Sequence, residues 1–124
     1  MIIKINFQSD EAIYLQLRNQ IIMGIATSQL NEGDVLPSVR QLAEDIGINM
    51  HTVNKAYTVL KQDGFVQVDR RRGAIVAVDP DRMRALEAVK QDLRVILAEA
   101  SCRGLDKQDI HKLIDEIYDN YGGL

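Results

Sequence analysis

Three residues, Gly47-Ile48-Asn49, constrain this chain more than any others. Before them, Val39, Leu42, Ala43 and Ile46 recur at the three- and four-residue spacing of a helix with one apolar face. After them, Val53, Ala56, Tyr57 and Leu60 do the same. Glycine at 47 tolerates the left-handed conformation that ends a helix, and asparagine at 49 is a preferred cap for starting one. With only Ile48 in between, the two helices must cross steeply. Their outer ends are equally marked: Ser38 with Gln41 forms an S-x-x-Q capping box, and Gly64 stops the second helix.

A hairpin comes next along the chain. Phe65-Val66-Gln67-Val68 and Ala74-Ile75-Val76-Ala77-Val78 are rich in β-forming residues and flank a tip of Asp69-Arg70-Arg71-Arg72-Gly73. Two steeply crossed helices and then a hairpin make a helix-turn-helix with a wing. Upstream, Ser9 or Asp10 caps a helix running to about Thr27, with Ile13, Leu17, Ile21 and Ile25 on one face, and Asn31 to Asp34 form a turn.

Asp79-Pro80 marks a boundary, with Asp79 as N-cap and Pro80 as the first residue of a fourth helix. Its apolar stripe is Met83, Leu86, Val89, Leu93, Ile96, Leu97 and Ala100, to about Cys102. Asp106 caps a fifth helix carrying Ile110, Leu113, Ile114, Ile117, Tyr118 and Tyr121 along one side, and Gly122-Gly123-Leu124 form a fraying tail. The expected fold is therefore mainly α with a small β-hairpin wing: a winged helix-turn-helix domain over 1–78 and a two-helix segment over 79–124. Two wide apolar stripes cannot both be buried within so small a chain, so the tail is expected to pair with a second copy, giving a homodimer.

A net charge of −3 argues against nucleic acid until its distribution is considered. Residues 35–78 carry six Lys/Arg against four Asp/Glu, a local +2, between flanks of −2 (1–34) and −3 (79–124). Screening limits the reach of a field to about 10 Å, so the local balance governs. No run of about 18 apolar residues suggests a membrane span, the amino terminus lacks signal-peptide character, and a single cysteine forms no internal disulfide; together these imply a cytoplasmic protein.

With its apolar stripe turned inward, the third helix presents Met50, His51, Thr52, Asn54, Lys55 and Thr58 outward. Recognition helices meet base edges with their amino ends. Asn and Thr hydrogen-bond bases, Met meets a thymine methyl, and Lys suits phosphate or guanine. Ser38 and Arg40 sit at the amino end of the second helix, where free N–H groups favour phosphate. Arg70, Arg71 and Arg72 repel one another at the wing tip, and an anionic partner relieves that repulsion.

The run LPSVRQLAEDIGINMHTVNKAYTVLKQDGFV followed by RRGAIVAV resembles the winged-helix domain of the GntR family of bacterial transcription regulators, over roughly residues 11–78. The resemblance implies that Ser38, Arg40, Asn49, His51, Thr52 and the wing approach double-stranded operator DNA. The family's G-x-G-T-F-V wing becomes Arg71-Arg72-Gly73-Ala74-Ile75-Val76, so an arginine side chain replaces the first glycine. A short two-helix carboxy-terminal part is similar to the YtrA-like subfamily, which implies dimerisation through that tail, repression at a palindrome and neighbouring ABC-transporter genes.

Catalysis has little support. His51 and His111 are 60 positions apart, Cys102 reads as a small residue at least partly buried, and no metal-ligand spacing, phosphate loop or cofactor motif occurs. A small-molecule effector is not indicated, and a pocket for one would have to form between subunits. The competing reading is a winged helix that docks protein without DNA; the polar helix face and the three wing arginines weigh against it.

Overall fold

The structure is a computed structural model that describes residues 3–121; the glycine-rich tail, 122–124, lies outside the described residues. Its elements run α1 (Ile13–Ala26), α2 (Val39–Ile46), α3 (Met50–Gln62), β1 (Val66–Asp69), β2 (Gly73–Val76), α4 (Arg82–Cys102) and α5 (Lys107–Asn120). The chain divides into two compact units, and the division falls between Asp79 and Pro80.

The first unit is the winged helix. Leu17, Ile21, Leu42, Val53, Ala56, Leu60, Val66 and Val76 form its core, so one side of each of the three helices meets the root of the hairpin. The stripe read from spacing is buried throughout on α3, while on α2 Leu42 and Ala43 are buried and Val39 and Ile46 half-buried. On α1 Leu17 and Ile21 are buried and Ile13 and Ile25 only half-buried, because that helix also turns Gln16 and Gly24 inward. The Gly47 turn is also as expected: Gly47 has φ 81°, its N–H and that of Ile48 both donate to Ala43 O at 2.8 and 3.0 Å, and Asn49 Oδ1 accepts from His51 N–H at 2.7 Å. No side chain would meet a neighbour at position 47, so glycine is there for its backbone conformation alone.

Four local expectations are corrected. The N-cap of α1 is Ala12, which gives no side-chain hydrogen bond; Ser9 Oγ instead accepts from Glu11 N–H at 3.1 Å. Only half of the Ser38–Gln41 box forms: Ser38 Oγ accepts from Gln41 N–H, while the Gln41 amide donates to Asp45 Oδ1 at 2.8 Å. The hairpin is shorter and shifted, with Asp69 opposite Gly73, so the tip is only Arg70-Arg71-Arg72. Finally, α4 starts at Arg82 and is capped by Asp81, which accepts from Arg84 N–H, because the Asp79 N–H donates to Gly64 O at 2.7 Å and stays in the first unit.

Two features carry no periodic signal. Residues 33–36 are more than a turn: Gly33 N–H donates to Val76 O, Val76 N–H to Asp34 O and Leu36 N–H to Ala74 O, which lays a short edge strand along β2. Gln16, a polar residue on α1, is 7% exposed. Its amide accepts from Asn6 N–H and donates to Asn6 O and Glu11 O, and Gln20 exchanges the same pair of bonds with Lys4. These two amides act as a strand partner that holds residues 3–6 along α1.

The second unit consists of α4 and α5, joined through Gly104 and capped at α5 by a reciprocal Asp106–Asp109 box. The two helices share no extended contact, and neither has a buried residue. Met83, Leu86, Val89, Leu93, Ile96 and Leu97 of α4 are exposed, as are Leu113, Ile114, Ile117 and Tyr118 of α5; Ile110 and Tyr121 are half-buried. Cys102 is exposed, contrary to the expectation of at least partial burial, as fits a helix that has no buried residue anywhere along its length.

Candidate nucleic-acid interface

The core of the first unit fixes which side of α3 is free. Val53, Ala56, Tyr57 and Leu60 face inward, so His51, Asn54, Lys55 and Thr58, at i, i+3, i+4 and i+7, form one exposed ridge on the opposite side. Met50 is also exposed, and Thr52 is half-buried at the ridge's edge. Asn49 is exposed, but its side-chain oxygen is occupied by the capping bond to His51 N–H, leaving its NH2 group for a partner. At the amino end of α2, Ser38 and Arg40 are exposed.

Two of these side chains have internal partners, one distant and one on the same helix. Lys55 Nζ lies 4.0 Å from the centroid of the Tyr14 ring on α1, a cation–π contact that holds the ammonium at the α1 edge of the ridge. Thr58 Oγ1 donates back to Asn54 O at 2.8 Å, so its proton is spent within the helix.

The hydroxyl of buried Tyr57 donates to Pro37 O at 2.7 Å and ties α3 to the residue before the Ser38 cap. Burial pushes the Tyr57 phenol up to about 12, which keeps it neutral and donating. Sequence spacing marked Tyr57 only as core; its second task depends on a carbonyl 20 residues away.

The wing tip is organised by Asp69. Its Oδ1 accepts from Arg71 N–H at 2.7 Å and Arg72 N–H at 3.2 Å, and its Oδ2 lies 3.5 Å from Arg72 Nε. The backbone bonds hold its carboxyl below the usual carboxylate range. Gly73, at φ 88°, closes the three-residue tip, a position suited to the glycine that the RRG sequence retains. All three arginines are exposed; among the described residues Arg70 and Arg71 form no ion pair, whereas Arg72 is partly engaged.

Between α3 and the wing lies an open groove of about 460 Å³, bordered by Ser38, Asn54, Thr58, Lys61 and Arg72. The ridge, the α2 amino end and the wing tip thus belong to one unit with an exposed polar and basic border. Among the described residues, no helix is long and apolar enough to cross a membrane, and no group of acidic, His or Cys side chains is placed to hold a metal ion.

Comparison with known proteins agrees with this geometry. Residues 10–76 match the model of bacterial regulatory proteins, gntR family. The HTH-type transcriptional repressor YtrA of Bacillus subtilis (strain 168) is 30% identical over 118 residues, covering 93% of this chain and 91% of that protein. The solved structure of YtrA from Sulfolobus acidocaldarius, a GntR-family transcription factor, is 41% identical with a TM-score of 0.62, covering 76% of this chain and 99% of that one. A Listeria monocytogenes EGD-e chain described as a transcriptional antiterminator is 27% identical with a TM-score of 0.86, covering 100% and 96%. These relatives are transcription regulators, not enzymes. The chain therefore belongs to the gntR family of bacterial regulatory proteins, among its YtrA-like members.

Proposed function

We propose that the chain is a homodimeric repressor that binds a palindromic operator and occludes the promoter of its own operon, with ABC-transporter genes as the expected neighbours. The observation that carries this reading is the shared exposure of the α3 ridge, the amino end of α2 and the arginine tip on one compact unit. In this reading Arg40, Met50, His51, Thr52 and Asn54 meet base edges. Ser38, the Asn49 amide and Lys55 meet backbone, and Arg70, Arg71 and Arg72 reach backbone or minor groove.

The exposed stripes of α4 and α5 support self-association. Leaving ten large apolar side chains in water is unfavourable by about 25 cal/mol per Å2 of apolar surface, and a two-fold partner removes that cost. A dimer also sets two recognition helices about one turn of DNA apart. The name of the Bacillus relative supports the sign of regulation. No cofactor enters the reading, and a small-molecule effector, if one acts, binds between subunits.

The test is retention of duplex DNA drawn from genomic promoter fragments, measured against salt. Specific retention is expected, with log affinity falling linearly with log salt. No retention of any duplex at low salt would instead leave a winged helix that docks protein.

A further inference from the structure

The groove between α3 and the wing contains a cation that the recognition face does not use. Lys61 lies one turn beyond Thr58 on the side of α3 that borders the groove, is exposed, and among the described residues forms no ion pair. Across the groove stands Arg72, whose Nε is turned to Asp69 while its terminal NH2 groups have no ion-pair partner among the described residues. At the end nearest α2, Ser38 Oγ accepts from Gln41 N–H and so keeps its own proton for donation. The floor is largely apolar, with Leu36 and Val66 buried beneath it, and the hydroxyl proton of Tyr57, which also lines the groove, is engaged by Pro37 O. A charged rim over an apolar floor matches a chain of phosphates joined by deoxyribose faces.

Resting on the operator-binding reading above, we infer that this groove seats the sugar–phosphate strand running between α3 and the wing, with Lys61 as a phosphate contact. If α3 enters a major groove while the wing tip reaches the adjacent minor groove, one strand of the duplex has to pass between them. From Asn54 to Lys61 the helix rises about 10 Å, a wall long enough to face more than one phosphate of the strand. Ser38 and Lys61 donate from the helical side and Arg72 from the wing. Thr58, its proton engaged with Asn54 O, contributes shape only.

The experiment uses the full chain, a duplex that the wild type enriches from a random pool, and a shuffled duplex of equal length. Lys61→Ala is expected to weaken binding to both duplexes by the same factor. The slope of log affinity against log salt should become shallower by about 0.9 per contact, or about 1.8 for a dimer. Lys61→Arg should restore both. Unchanged affinity and slope in Lys61→Ala would overturn the inference, as would weakening on the enriched duplex alone, which would indicate a base contact. Neither result touches the operator-binding reading, which fails only if the wild type enriches and retains no duplex.

Discussion

The bond from the Tyr57 hydroxyl to Pro37 O makes a prediction whose sign changes with pH. Tyr57→Phe keeps the buried ring and removes a 2.7 Å hydrogen bond. A bond of this kind contributes about 0.5–1.5 kcal/mol net, and because Pro37 is exposed its freed carbonyl returns to water, placing the loss near 1 kcal/mol. Neutral pH therefore favours the wild type. In the unfolded chain the phenol ionises near 10, while in the folded protein it does so at about 12. A raised folded value stabilises fully below pH 10 and is lost as pH rises from 10 through 12, because over that window the unfolded chain has already released its proton. Two pH units correspond to roughly 2–3 kcal/mol. The wild-type advantage should shrink above pH 10 and reverse near pH 11. Urea denaturation of both proteins at steps from pH 7 to 11.5 reads the difference directly. Parallel curves across that range would refute the assignment of the raised phenol to Tyr57.

Other consequences concern the interface itself. Arg40→Ala and Thr52→Ala should each weaken binding to the preferred duplex by about 1–3 kcal/mol, with little effect on shuffled DNA, in a fluorescence-anisotropy titration. Arg71→Ala should lower affinity for all duplexes and flatten the salt dependence. Asp69→Ala should release the wing tip. In the wild type the Arg71 and Arg72 amides should stay protected from hydrogen exchange above the usual carboxylate range. They should lose protection as pH falls through the depressed value of Asp69, because protonation removes the acceptor. Truncation after Asp79, which keeps its bond to Gly64 O, should leave a folded monomer in sedimentation, whereas the full chain sediments as a dimer.

The parts legible in the sequence are those that depend on near neighbours. The Gly47–Asn49 turn, the inward stripes of α2 and α3, the Asp106 cap and the arginine tip follow from spacing and local backbone preference. The parts that were not legible are set by bonds between distant residues. Gln16 looks like a surface residue until residues 3–6 lie beside it. Asn31 to Asp34 look like a plain turn until β2 is available to pair. Asp79 looks like a helix cap until Gly64 O claims its N–H and passes the task to Asp81. The same holds at the candidate interface: the outward ridge of α3 follows from the stripe opposite it. The engagement of Lys55 with Tyr14 depends on a distant partner, whereas the bonds of Thr58 to Asn54 O and of Arg72 to Asp69 are local, at four and three residues, and lay within reach of the sequence.

The central claim is that two copies of one reader, joined through their tails, recognise DNA together. Selection of bound duplexes from a random pool by the full chain tests it most directly. The predicted result is an enriched site with two-fold symmetry, its half-sites centred about 10 base pairs or a multiple apart. Enrichment of a single unsymmetrical half-site, or of no sequence at all, would contradict it.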